Sequence, residues 1–166
     1  MKYLMFENDL NGIFPIAFSE TSDHGEMARC FKHIIHTKPT SAGYCNHNQT
    51  WGDSKSLKIT AQPGDEIFIQ QMFLPKPGRS DAKYVTMAVP CGGTTQTIIF
   101  PAMLDHGAIA KAIQTEFPGL EVQGAGFLSL ANGKATPHGA SVSLQKGVHA
   151  DDDFYLSRQF ESLDIS

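Results

Sequence analysis

The sequence has few cysteines, no surplus of positive charge and no long apolar run. Three cysteines cannot close a disulfide framework, so Cys30, Cys45 and Cys91 are expected to be reduced thiols. The chain has 13 Lys and Arg against 17 Asp and Glu, so its formal charge of -4 leaves no basic surplus for nucleic acid. Glu7 ends the apolar opening before a secretory signal could form, and no apolar run reaches the roughly 18 residues that span a membrane. We therefore expect a soluble cytoplasmic chain with no nucleic-acid or membrane partner.

The sequence does contain enough apolar residues for a packed core, and it contains an internal duplication. At 166 residues and 41% hydrophobic content, one domain is the natural expectation. Six blocks recur in the same order in residues 1–73 and 82–160. They are Lys2-Tyr3 and Lys83-Tyr84, Ile13-Phe14-Pro15 and Ile99-Phe100-Pro101, Asp23-His24-Gly25 and Asp105-His106-Gly107, Ala42-Gly43-Tyr44 and Ala125-Gly126-Phe127, Gly52-x-Ser54-x-Ser56-Leu57 and Gly139-x-Ser141-x-Ser143-Leu144, and the segments 65–73 and 152–160.

Each copy predicts the same elements, in the order ββαββα. Asp23 and Asp105 are good N-caps for a helix with one apolar face, and Asn132-Gly133 predicts a hairpin turn. Asp65 and Asp152 are expected to cap a final short helix in the same way. A unit of this size buries little surface alone, so we predict an α+β domain of two repeats related by a pseudo-twofold axis and sharing one core. Its parts are repeat one (1–73), a Pro/Gly linker (74–81), repeat two (82–160) and a tail (161–166).

These motifs carry a resemblance. Ile-Phe-Pro, then Asp-His-Gly followed by alanine on a helix, then Ser-Ala-Gly-Tyr and Gly-x-Ser-x-Ser-Leu, resemble small uncharacterised proteins encoded by bacteriophages and prophages. The resemblance covers both repeats. It implies a setting, such as host takeover, defence evasion or a minor virion part, and no particular reaction.

His24 and His106 are expected in the first turn of equivalent helices, facing the core. One interpretation is a general base near a helix N-terminus, where the dipole favours neutral imidazole. The favoured interpretation is a buried histidine that bonds a strand backbone and sets how the helix meets the sheet. An alternative function, a small-molecule binder or hydrolase, would combine both histidines with Ser54 and Ser141 in a pocket at the repeat junction.

Two further motifs have a structural and a functional interpretation. Cys30, His33 and His36 have metal-ligand spacing, but their side chains should diverge around the helix, with Cys30 at the edge of the apolar stripe. No metal or other cofactor is therefore predicted. Cys91 begins a Gly-Gly-Thr-Thr segment that could bind an anion but more simply forms a turn.

Small residues recur at equivalent strand positions. Ser54 and Ser56 should alternate along a strand with Leu57 on the opposite face, and Ser141 and Ser143 should repeat this arrangement. Gly43 and its counterpart Gly126 indicate that something approaches the sheet closely. It is either the helix of the other repeat, packed against the strand, or a ligand.

Aromatic and polar residues are concentrated in repeat one. Trp51, the only tryptophan, is expected near Tyr44 and His47, either as a binding anchor or as a cap on the core. The acidic run 151–153 is expected to be an exposed first helix turn. We therefore predict a protein that acts by binding a host or virion protein through its sheet edges or through Tyr44, His47 and Trp51. Catalysis is the less favoured alternative, and self-association stays open.

Overall fold

A computed structural model describes residues 1–74, 81–90, 92–131 and 134–161. The elements of the first half are β1 (Lys2–Asn8), β2 (Gly12–Phe18), α1 (His24–Ile35), β3 (Ser41–Cys45), β4 (Thr50–Trp51), β5 (Asp53–Ser54), β6 (Ile59–Thr60) and α2 (Asp65–Phe73). Those of the second half are β7 (Ala82–Ala88), β8 (Gln96–Phe100), α3 (His106–Glu116), β9 (Glu121–Ala131), β10 (Lys134–His138), β11 (Ala140–Ser141), β12 (Lys146–Gly147) and α4 (Asp152–Glu161). The predicted α+β class is confirmed.

One antiparallel sheet joins the two halves. Its eight strands run in the order β10-β9-β7-β8-β2-β1-β3-β4, so β10 and β4 are the edges. The halves meet in the middle, where Ala17 and Phe18 of β2 pair with Ile99 and Ile98 of β8. The short strands β5 and β6 form a separate hairpin, as do β11 and β12. The sheet is therefore continuous across the boundary between the two halves.

Helices cover both faces of the sheet. Successive side chains of each strand point to opposite faces, and both faces are apolar. On one face Leu4 and Phe6 of β1 belong to the cluster that also holds Met27 and Phe31 of α1 and Ile109 of α3. On the other face, α2 and α4 contribute to a second cluster. Its largest members are Met1, Tyr3, Met5, Ile69, Met72, Phe73, Tyr84, Ile99, Leu128 and Leu156. The core thus forms two layers that share one sheet.

Each half has two more strands than the predicted ββαββα. After β4 the backbone of Gly52 has φ +79°, and after β10 that of Gly139 has φ +74°. This left-handed conformation suits glycine. It ends the main-sheet strand, so the single strand expected over 51–59 becomes β4, β5, a turn and β6. The hairpin of β9 and β10 is confirmed, with Ala131 paired to Lys134, and its predicted Asn132-Gly133 turn lies outside the described residues.

The strand register corrects the proposed match of the two Ile-Phe-Pro blocks. Lys2 pairs with Phe18, whereas Lys83 pairs with Phe100. The structural counterpart of Phe100 is therefore Phe18, and Phe14 lies four residues earlier in the strand. The two Ile-Phe-Pro blocks occupy different places in the sheet.

The helix starts confirm one pair of predicted N-caps and correct the other. Asp23 caps α1 and Asp105 caps α3, each accepting a hydrogen bond from the third residue after it. Asp65 is instead the first residue of α2, whose N-cap is Gly64. Asp152 likewise lies inside α4 and is fully buried, so the acidic run 151–153 is not a wholly exposed turn.

Candidate functional site

Each histidine of the repeated Asp-His-Gly motif is buried between two aromatic rings. The ring centroid of His24 lies 5.7 Å from that of Phe18 and 5.9 Å from that of Tyr44. Its Nε2 lies 2.8 Å from the carbonyl oxygen of Gly43. Burial lowers the pKa of His24, which favours a neutral ring whose Nε2–H donates to that carbonyl. The imidazole thus links the start of α1 to β3.

His106 repeats this arrangement in the second half. Its ring lies 5.6 Å from Phe100 and 5.7 Å from Phe127, and Nε2 lies 2.8 Å from the carbonyl oxygen of Gly126. Burial lowers the pKa of His106 as well. Each histidine bonds the strand of its own half, so the structure contains two separate histidine sites. Neither geometry leaves Nε2 free to act as a general base.

The repeated serines accept hydrogen bonds from the backbone. Ser56 Oγ accepts from Gly25 N at 3.0 Å, and Ser54 Oγ accepts from Leu57 N at 3.2 Å. Ser141 and Ser143 make the same bonds in the second half. The serines approach one another because the chain turns after β5, and not because they alternate along a strand as expected. They stabilise the turn and the start of the helix.

The sequence reasoning missed a buried carboxylate in each half. Asp65 Oδ2 accepts hydrogen bonds from Tyr3 Oη at 2.5 Å, from Ser41 Oγ at 2.7 Å and from Gln62 N at 3.0 Å. Burial and the neighbouring Asp65 carboxylate raise the pKa of the Tyr3 hydroxyl. The carboxylate therefore fixes α2 to β1 and β3, the strands under it.

The counterpart carboxylate uses a hydroxyl from the other strand. Asp152 accepts from Tyr84 Oη at 2.7 Å and from Thr86 Oγ1 at 2.8 Å. Thr86 of β7 pairs with Gly124 of the neighbouring strand β9. In the first half the same cross-strand pair is Met5 with Ser41. The second hydroxyl donor therefore lies on β3 in the first half and on β7 in the second half. Each carboxylate accepts from one tyrosine and one aliphatic hydroxyl.

The repeated strand glycines are required by a neighbouring strand. A Cβ on Gly43 would lie 2.5 Å from the carbonyl oxygen of Trp51, and one on Gly126 would lie 2.6 Å from that of His138. The close approach predicted from these glycines is therefore real. It comes from the next segment of the same half, and not from the helix of the other repeat or from a ligand.

The residues with metal-ligand spacing point in different directions. Cys30 is fully buried rather than at the edge of the apolar stripe, and burial raises the pKa of its thiol to about 12. His33 is exposed, with Nε2 2.9 Å from Glu116 Oε1, and His36 is the exposed C-cap of α1. Among the described residues, no three His, Cys, Asp or Glu side chains could hold a metal ion. Cys91 lies outside them.

The aromatic residues of the first half lie at a sheet edge. Trp51 is 45% exposed on β4 and pairs with Tyr44, which is half-buried. The buried Nδ1 of His47 has no hydrogen-bond partner in the part of the chain that is described. At the other edge His138 pairs with Phe127, stacks on its ring and bonds Asp81 at 2.8 Å. The two edges are therefore equivalent in position and different in chemistry.

Within the described ranges, no helix is long and apolar enough to cross a membrane. Comparison with protein-family models, curated proteins and solved structures finds no match to this chain.

Proposed function

We propose that this protein acts by binding a protein partner through Tyr44, His47 and Trp51, which together are called the Trp51 surface. The observation that carries the proposal is the exposure of Trp51 on an edge strand. Tryptophan is among the residues that most often dominate binding energy when a partner covers them. A cap on the core would be buried, whereas nearly half of this side chain is open to solvent.

The hydrolase alternative receives less support. The histidines and serines that it needs are bound to backbone groups in two separate halves.

We further propose that the halves arose by tandem duplication. Matching histidine, serine and buried-aspartate contacts in both halves support this. In the setting that the phage resemblance implies, the partner of the Trp51 surface is a host or virion protein.

The test uses matched baits. Wild type, Trp51→Ala and His138→Ala would each capture partners from a host-cell lysate, and a captured protein would be purified for affinity measurement. His138 is the control because it occupies the equivalent position at the other edge. Trp51→Ala should weaken binding by about 2 kcal/mol or more, and His138→Ala by little. Equal binding by all three baits would overturn the proposal.

A further inference from the structure

A small cavity lies between α1 and α3, where the two halves meet. It has a volume of about 80 Å³ and takes lining residues from both halves. Its apolar lining consists of Met27, Ile98, Ile113, Phe117 and Leu120. This cavity differs from the junction pocket predicted above, because neither His24, His106 nor the repeated serines line it.

The cavity also has a polar lining. It consists of Thr21, Ser22, Glu26 and Gln96. Ser22 Oγ donates a hydrogen bond to Gln96 Oε1, which ties the two halves together beside the cavity. Among the described residues, no donor or cation lies within bonding distance of the Glu26 carboxylate. Lys2, the cation near Ser22, bonds the Ser22 carbonyl oxygen at 2.8 Å instead.

One polar lining residue has an apolar counterpart in the other half. Gln96 pairs with Met87 on β7, and its counterpart Phe14 pairs with Phe6 on β1. Phe14 is only 2% exposed. A glutamine thus stands on one side of the junction where a buried phenylalanine stands on the other.

Two more counterparts follow the same trend. Lys83 Nζ bonds the carbonyl oxygen of Leu104 as Lys2 bonds that of Ser22, so Leu104 is the counterpart of Ser22. The backbone N–H of Ala108 donates to the α3 cap Asp105 as that of Glu26 donates to the α1 cap, so Ala108 is the counterpart of Glu26. The fold therefore accepts apolar residues at all three positions. On the polar side Ser22 and Gln96 bond each other, and Glu26 lies in the first turn of α1, where an acidic residue is favourable. The Glu26 carboxylate is the group of this set that a ligand would meet.

We propose that this cavity binds the end of an alkylammonium group, carried either by a small free amine or by a lysine side chain. The apolar lining takes the methylene groups, and the Glu26 carboxylate and the Gln96 amide oxygen take the ammonium protons. A water molecule occupies about 30 Å³ of the liquid, so the cavity holds roughly three heavy atoms, which are the nitrogen and the next two carbons of the chain. An aromatic ring is too large, because a cavity that binds benzene measures about 150 Å³.

The probe is n-propylamine. Its binding would be measured by NMR of the methyl groups of Met27, Ile98 and Ile113. We expect saturable shifts at these methyls, with a dissociation constant on the order of 1 mM for so small a ligand. Propionate should give none. Absence of saturable shifts, or equal shifts with propionate, would overturn the proposal. N-acetyl-lysine methylamide distinguishes the sources. Binding at least as tight as that of n-propylamine indicates a lysine side chain, and binding of n-propylamine alone indicates a free amine.

Variants separate the site from the fold. Glu26→Gln keeps the shape of the side chain and should weaken n-propylamine binding at least tenfold. Glu7→Gln, an exposed carboxylate elsewhere, should leave it unchanged. Gln96→Phe fills the cavity with the residue of the other half and should abolish binding while the melting temperature holds or rises. Unchanged affinity in Glu26→Gln would overturn the proposal even if Gln96→Phe does not fold. The proposal does not depend on the Trp51 surface.

Discussion

Replacement of Asp65 by alanine should be among the most destabilising changes in the first half. The carboxylate accepts hydrogen bonds from the hydroxyls of Tyr3 and Ser41, and these two residues are 0% and 2% exposed. Both hydroxyls would lose this acceptor in a region that water does not reach. A buried donor without a partner costs about 1–3 kcal/mol, so two cost about 2–6 kcal/mol. That is a large part of the 5–15 kcal/mol typical of a folded domain.

Urea unfolding would measure the effect. Tyr3→Phe removes one donor and leaves the carboxylate its other partners, so it should cost less, about 1–2 kcal/mol. In the Asp65→Ala background, the tyrosine hydroxyl has already lost its carboxylate acceptor, so the same tyrosine change should cost less than it does in the wild type. Asp9→Ala, an exposed control, should change stability by less than about 0.5 kcal/mol. A loss below about 1 kcal/mol in Asp65→Ala, or additive effects of the two changes, would refute this reasoning.

Three further changes test the buried contacts. Burial lowers the pKa of His24, so the unfolded chain binds more protons and stability should fall as the pH drops below about 6.5; His24→Gln should flatten this slope, and an unchanged slope would contradict it. Gly43→Ala should destabilise the fold by more than about 2 kcal/mol because its Cβ would meet a carbonyl oxygen, whereas Gly119→Ala, with open space around it, should not. The buried Cys30 and Cys45 thiols, with pKa values raised to about 12, should resist a thiol reagent at pH 8 until the chain unfolds; fast reaction of the native chain at both would contradict this.

Local patterns in the sequence predicted the parts of the fold that local chemistry determines. Asp23 and Asp105 were identified as N-caps because the capping bond joins residues three apart. The apolar spacing of α1 identified its buried face, and the histidines were correctly placed against a strand backbone.

Contacts between distant residues were not predictable in this way. Asp65 meets Tyr3 across 62 residues, and an aspartate at a helix start has the same local pattern whether it caps the helix or binds a strand. The register of β2 was missed for a related reason. A slip of four residues, from Phe18 to Phe14, keeps every side chain on the same face, so alternation of apolar residues cannot detect it.

The exposure of Trp51 depends on the order of the strands. Nothing in the local sequence shows that β4 is an edge, because that follows from the pairing of β1 with both β2 and β3. Burial and exposure of this tryptophan therefore stayed as alternatives until the sheet was known.

Hydrogen exchange of the complex with its partner tests the central claim most directly. The Trp51 surface should gain protection on binding, over residues 44–51, while residues 83–160 exchange as in the free chain. If the protection instead falls mainly on 83–160 and leaves Trp51 as exposed as before, partner binding through the first half is contradicted.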